Sequence, residues 1–280
     1  MKKYLGILLP LLFAHLVSCH SQSVDEVDFK VKYAPSHSYS QTLTQSSHSE
    51  VTYKGSKEYL DNLKDKGVSN PTITENSQEV KSVIKTGKQT NADKFPMTIE
   101  FIKSTSSSGK KDIPDGTKIY GHGSTDELPT IDSISSSEMT QEYKDAITQS
   151  MQSVFKQLDL PEKKIKIGEQ FMRENPLSIP IAGVTIDMTI TTIYKLVSIE
   201  HDSANFDISQ VYTMKTDVTG HVIKATGDGK GKLIYDMKNN FYLRYQIDTN
   251  MNMQLTMDKF VLEVKSNSNF VQVTTITTEQ

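Results

Sequence analysis

The chain has 280 residues, enough for one large domain or two small ones around a sizeable core. A formal net charge of −3 argues against nucleic acid as a main partner, and a single cysteine excludes a disulfide framework and any zinc site built on paired cysteines. Hydrophobic residues make up only 36%, because Ser, Thr, Asn and Gln are abundant. At the N-terminus, Lys2 and Lys3 precede an apolar run from Leu5 to Ala14. That run is shorter than the ~20 residues of a membrane span, so residues 1–18 read as an export signal. No other segment approaches 18 consecutive apolar residues.

Leu16-Val17-Ser18-Cys19 comes next and resembles the lipobox of bacterial lipoproteins. The resemblance implies that signal peptidase II recognises Leu16, Val17 and Ser18 and cuts before Cys19. The Cys19 thiol then carries diacylglycerol and the new amino group a further acyl chain such as palmitate. Two or more chains anchor a protein stably where one binds only marginally. The bland alternative is a secretory signal with a chance cysteine, but the chain's sole cysteine stands where the modification requires it. Cleavage removes Lys2 and Lys3 and no acidic residue, taking the formal charge from −3 to −5. His20, not Asp, follows the cysteine, so the usual inner-membrane retention signal is missing. The expected location is the outer membrane, facing the periplasm, with surface exposure left open.

Residues 19–26 form the lipidated cysteine and a polar tether, and strand patterns begin at Val27. Val27, Phe29, Val31 and Tyr33 alternate with Asp28, Lys30 and Lys32. Further strands are expected over 39–53, 77–88 and 95–103. A polar excursion lies between the first two, with a short helix at 56–66, and residues 104–116 read as a loop. A longer helix is expected at 138–158, where Met139, Tyr143, Ala146, Ile147, Met151, Val154, Phe155 and Leu158 form an apolar stripe. Ser135 and Glu138 make a capping-box pattern at its start. In the C-terminal half, strands run through Val184–Leu196, Ala204–Met214 and Ile223–Tyr235. Phe241 to Met257 alternates for roughly 55 Å at ~3.4 Å per residue, interrupted only by Thr249. Phe260, Leu262 and Val264, a turn at Lys265–Asn269, and Val271 and Val273 complete the set. Short polar connections imply antiparallel neighbours, and one apolar face per strand implies a sheet covered on one side.

The fold class expected is mainly β (α+β), with long, curved antiparallel strands in two related half-barrel sheets and one packed amphipathic helix. The halves cover about 27–135 and 160–280 of a single β-rich domain, 27–280, linked by helix 138–158. A faint repeat relates Phe29-Lys30-Val31-Lys32-Tyr33 to Lys164-Ile165-Lys166-Ile167-Gly168.

Chemical motifs are sparse. Gly227-Asp228-Gly229-Lys230-Gly231 lacks the strand–turn–helix setting of a phosphate loop, and its glycines alternate within a strand pattern, which marks a bend or a close approach. Gly121-His122-Gly123 with Asp126 and Glu127 places a histidine near carboxylates in an expected loop, where solvated side chains are the plain explanation. No G-x-S-x-G, P-loop or H-x-x-x-H spacing occurs. No catalytic residue, metal ligand or cofactor is expected. The chain's 11 Met residues include Met251, Met253 and Met257 on one strand face, with Met188 and Met214 on facing strands. Such thioethers fill cores and adapt to irregular apolar ligands alike.

Leu160-Pro161-Glu162-Lys163-Lys164-Ile165-Lys166-Ile167-Gly168-Glu169-Gln170-Phe171 resembles a signature, "PEKPVKVGDSW", of an uncharacterised family of bacterial lipoproteins. Phe171 stands where that family commonly has Trp, and Gln170 where it has Ser. The family brings no assigned activity. More loosely, long curved strands closed by a helix resemble the lipoprotein-carrier and mycobacterial lipid-binding lipoprotein fold, an unclosed barrel around an apolar cavity. The resulting expectation is a non-enzymatic, membrane-anchored envelope lipoprotein holding a lipid or other apolar ligand. Its expected lining is Phe155, Met188, Phe206, Tyr245, Met251, Met253 and Leu255. The alternative is a non-catalytic structural or adaptor subunit that docks an envelope protein partner.

Overall fold

A computed structural model describes residues 25–90, 93–109, 111, 113–157, 162–181, 184–214 and 222–279. The signal segment and the anchor residues Leu16, Val17, Ser18 and Cys19 lie outside the described residues.

The protein is mainly β. Its strands are β1 (Glu26–Phe29), β2 (His37–Gly55), β3 (Thr72–Thr86), β4 (Lys94–Ser106), β5 (Lys118–Ser124), β6 (Thr130–Ser135) and β7 (Lys163–Lys166). They continue with β8 (Gln170–Ile181), β9 (Val184–Glu200), β10 (Ser203–Met214), β11 (Val222–Asp236), β12 (Phe241–Thr256) and β13 (Phe260–Thr278). Helices α1 (Lys57–Asp65) and α2 (Gln141–Gln157) complete the described elements. Eleven strands form one antiparallel sheet in the order β6-β5-β4-β3-β2-β13-β12-β11-β10-β9-β8. Within β2–β6 and within β8–β13 each strand neighbours the next in sequence, and β13 returns to pair with β2 over its whole length, Phe260↔Gly55 to Thr278↔His37. Closure fails in one place, since β6 and β8 are the two ends of the strand order. The two expected half-sheets are therefore one continuous, unclosed sheet joined along β2–β13.

Helix α2 spans the gap. Met139, just before it, and its Ile147, Met151 and Phe155 pack beside Ile119 of β5 and Ile131 and Ile134 of β6. At its other end, Arg173 of β8 donates from Nη2 to the Lys156 carbonyl at 2.7 Å. The stripe is narrower than the sequence pattern implied, because Tyr143 and Ala146 are exposed. The cap is also different: Thr140 Oγ1 accepts from Tyr143 N at 3.3 Å, while Ser136, not Ser135, holds the Glu138 amide. The short helix α1 begins as expected, with Ser56 accepting from Tyr59 N.

Strands β1 and β7 pair antiparallel into a two-stranded ribbon, Glu26↔Lys166 to Phe29↔Lys163, so that no residue of the repeat segment 29–33 pairs with one of 164–168. The ribbon lies on the inner face of the large sheet, where Val27, Phe29 and Ile165 are buried with Phe171, Leu196, Phe206 and Tyr235. Strand pairing stops at Phe29 rather than running to Tyr33, yet Tyr33 still turns inward and is buried against Tyr39 and Phe241. The motif glycine Gly168 takes φ +92°, turning the chain from β7 into β8.

Other departures from the sequence reading have local causes. Residues 265–269 form no turn, because β12 and β2 flank them and satisfy their backbone from both sides. His122 lies in strand β5, not a loop, and its Nδ1 is 2.6 Å from Asp132 Oδ2 rather than beside Asp126 or Glu127. Its flanking glycines answer to space: a Cβ at Gly121 would lie 2.0 Å from the Thr130 carbonyl oxygen, and one at Gly123 would lie 2.1 Å from the Phe95 ring. Strand β8 carries Pro176 and Pro180, residues that sheets confine to edges, and β8 is an edge.

One inward pair carries avoidable strain in polarity. Thr274 and its register partner Gln41 each bury a side-chain atom, Oγ1 and Nε2, with no hydrogen-bond partner among the described residues. Thr274→Val keeps the shape and removes the stranded hydroxyl. It is expected to raise stability by about 1 kcal/mol, or roughly 2 °C in Tm, measured by calorimetry.

Candidate functional site

The inner face carries three apolar clusters. The first lies under α2 and the second under the β1–β7 ribbon, and these two share Val31 and Tyr242. The third shares no residue with either and gathers Ile186, Met188, Ile223, Met253, Leu255 and Leu262.

A row of register partners crosses the inner face between the second and third clusters. From β8 it runs Arg173, Thr192, Gln210, Gly229, Thr249, Ser268, Ser47 and Asn76, ending on β3. Every member is polar or glycine. Gln210 Nε2 donates to Thr192 Oγ1 at 3.0 Å, and the Thr249 and Ser268 hydroxyls are 2.7 Å apart. Thr249, the one break in the long alternation of β12, is where this seam crosses that strand. The glycines of 227–231 serve close packing and not phosphate binding. A Cβ at Gly227 would lie 3.0 Å from the Tyr212 ring, and one at Gly229 would lie 3.1 Å from both Gln210 and Thr249.

A cavity of about 390 Å³ opens where the seam meets β8. Its walls come from six consecutive strands and from the segment after β1. β8 supplies Arg173, Asn175, Pro176 and Leu177, and β9 supplies Ile190, Thr192 and Tyr194. Gln210 and Leu233 come from β10 and β11, Tyr242 and Tyr245 from β12, Phe270 and Gln272 from β13, and Val31 closes one side. Strands β8 and β13 are five positions apart, ~24 Å in a flat sheet, so one cavity touching both requires the sheet to curl. The volume falls within the ~300–1,000 Å³ of small-molecule pockets.

The cavity wall is built largely of aromatic rings, from Tyr194, Tyr242, Tyr245 and Phe270. The Tyr245 and Tyr194 side chains lie close enough to influence each other's titration, and Gln272 lies close enough to influence that of Tyr242. Burial holds all three tyrosines above the ordinary phenol range, Tyr242 at about 12. Arg173, close to Tyr194, opposes that rise. Tyr194 stacks on Phe171 at 4.8 Å, and Tyr245 meets Phe270 edge-on at 6.0 Å. Among the described residues, Arg173 is the only one of the lining with an ionised side chain.

A larger depression, about 630 Å³, lies at mid-length of the sheet near His48, Glu75, Asp248, Asn250 and Asn269. Its groups satisfy one another, with Asn269 donating to Asp248 at 2.6 Å and His48 within 3.3 Å of Glu75. It is open and polar throughout, without an apolar wall to exclude water, so the smaller cavity is the better candidate site.

Of the seven expected lining residues, only Tyr245 lines this cavity. Phe155 is buried in the first cluster and Phe206 in the second. Met188, Met253 and Leu255 are buried in the third, with Met251 packed against it. Alternation assigns a residue to a face but not to a place along the strand, and Tyr245 and Met253 stand eight residues, ~27 Å, apart. Arg173 and Leu177 were missed because the prolines of β8 obscured its strand pattern. Among the described residues, no group of three or more His, Cys, Asp or Glu is placed to hold a metal, and no helix is long and apolar enough to cross a membrane.

No protein-family model matches the chain, and no curated protein matches it. Among solved structures, it is similar to Pseudomonas aeruginosa OccK11 (OpdR), with 7% identity and a TM-score of 0.22 over 89% of this chain and 99% of that one.

Proposed function

We propose that the protein is a bacterial envelope lipoprotein, anchored through Cys19, that holds a lipid in the cavity at the β8 edge. The observation that carries the reading is an aromatic-walled cavity of about 390 Å³ on the inner face of an unclosed sheet, reached at the seam where closure fails. A closed, fully packed barrel has no such place, and an acyl chain gains ~0.8 kcal/mol per buried CH₂. The described side chains around the cavity are phenols, amides, one hydroxyl, one guanidinium and hydrocarbon, a set suited to holding a ligand rather than transforming one. We read the protein as non-catalytic on that basis.

The adaptor alternative draws on the other face of the same strands. Met172 of the edge strand β8 and Val211 of β10 are 59% and 50% exposed there. Native mass spectrometry of the protein taken from the membrane fraction separates the two readings. The expected result is an acylated chain with one further lipid bound non-covalently. Ile190→Trp, which fills the cavity from a half-buried wall position, is expected to lose that lipid while circular dichroism stays unchanged. A chain that carries only its covalent acyl groups would favour the adaptor.

A further inference from the structure

Two uncharged side chains at the β8 end of the cavity have hydrogen-bonding capacity to spare. Asn175 lines the cavity half-buried, and among the described residues nothing bonds its side-chain amide. Thr192, only 2% exposed, accepts from Gln210 Nε2 at 3.0 Å, while its own hydroxyl proton meets no acceptor among the described residues. Arg173 pairs with Thr192 and Asn175 with Ile190, so Asn175 and Thr192 are diagonal neighbours on the inner face, ~7–8 Å apart. One small head group reaches both. Gln210 is already satisfied, as its Oε1 accepts from Tyr212 at 3.2 Å. Arg173 is engaged within the protein, in part by the Lys156 carbonyl. The cavity also limits size. A methylene fills ~30 Å³, about the share of one molecule in liquid water, so about 390 Å³ takes roughly a dozen of them. One medium-length chain fills that space, and the second chain of a diacyl lipid finds no room.

We infer that the cavity selects a single-chain lipid with an uncharged hydroxyl or ester head, the head at Asn175 and Thr192 and the chain along Tyr194, Tyr245 and Phe270. This rests on the lipid-holding function proposed above and names the class of lipid. An ester or hydroxyl oxygen of the head accepts from Asn175 Nδ2 and from the Thr192 hydroxyl, and Asn175 Oδ1 accepts from a head-group hydroxyl. An ionised head placed there exchanges its water for neutral partners, a cost that an uncharged head does not meet. Strand β8 is an edge, so the rest of the head keeps contact with water while the chain takes the buried side.

Native mass spectrometry of protein stripped of non-covalent lipid tests the assignment, with 1-dodecanoylglycerol, dodecanoate and 1,2-didodecanoylglycerol offered together at equal concentration and neutral pH. 1-Dodecanoylglycerol is expected to occupy the protein about tenfold more than either competitor. Asn175→Leu keeps the size of the side chain and removes its amide, and should cut that occupancy about tenfold. Dodecanoate bound as well as 1-dodecanoylglycerol overturns the head-group assignment and leaves the lipid-holding function standing. So does wild-type occupancy in an Asn175→Leu variant that circular dichroism shows to be folded. Didodecanoylglycerol bound as well as the single-chain lipid overturns the single-chain limit, again without touching that function. Failure of all three to bind wild type overturns the lipid-holding function as well.

Discussion

Raising the pH beyond 10 is expected to unfold the protein in one cooperative step, completed by about pH 12. Burial lifts the phenols of Tyr33, Tyr39, Tyr194, Tyr212, Tyr235, Tyr242 and Tyr245 above their ordinary value of 10.0, with Tyr235 and Tyr242 each at about 12. Each keeps its proton in the folded chain at a pH where the unfolded chain gives it up. The unfolded state then binds fewer protons, so stability falls as pH rises. The contribution is complete below pH 10 and is lost as pH climbs through the folded values. Each such tyrosine removes ~1.4 kcal/mol per pH unit within that window, and several act together against a total stability of ~5–15 kcal/mol. Tyrosinate absorbance and the loss of strand circular dichroism should therefore rise on one curve, after an early component from exposed tyrosines. Tyr242→Phe should move the midpoint to higher pH. A gradual titration of all tyrosines with the strand signal intact would falsify the argument.

These tyrosines also show how far the sequence was legible. Tyr194, Tyr212, Tyr235 and Tyr245 stand on the apolar side of period-2 runs, so their inward direction follows from alternation alone. The mainly β architecture, the long strands and the packed helix were readable on the same basis. The meeting of β13 with β2 was not, because pairing between the two ends of the chain leaves no local pattern. The central residues of β13, Asn267-Ser268-Asn269, look like turn sequence in isolation, whereas 46–48 fall within the strand expected over 39–53. Only the ladders to β12 and β2 on either side make 267–269 strand. The cavity was hidden for a related reason. Its residues come from six strands and the segment after β1, and what unites them is a register across the sheet. Methionine enrichment pointed instead to the far cluster, which is packed core.

Phe29→Ala is expected to cost about 3–5 kcal/mol, lowering Tm by roughly 6–20 °C, and to release bound lipid as well. Phe29 is fully buried and meets three rings at once: Phe171 and Phe206 at 5.1 Å and Tyr235 at 4.9 Å. The ribbon it belongs to has two short strands and is marginal alone, so it depends on Val27, Phe29 and Ile165 for its seat on the sheet. Tyr235 ties the same segment from below, its hydroxyl donating to the Lys30 carbonyl at 2.6 Å. Two residues beyond Phe29, Val31 forms a wall of the cavity and joins the first two clusters. Loosening the ribbon therefore opens the cavity as well as hollowing the core. Phe260→Ala in the far cluster is the control: it should lower Tm while leaving lipid retention as in wild type. Calorimetry and native mass spectrometry on the two variants read both effects. If Phe29→Ala and Phe260→Ala retain lipid equally, the ribbon is not the wall that holds it.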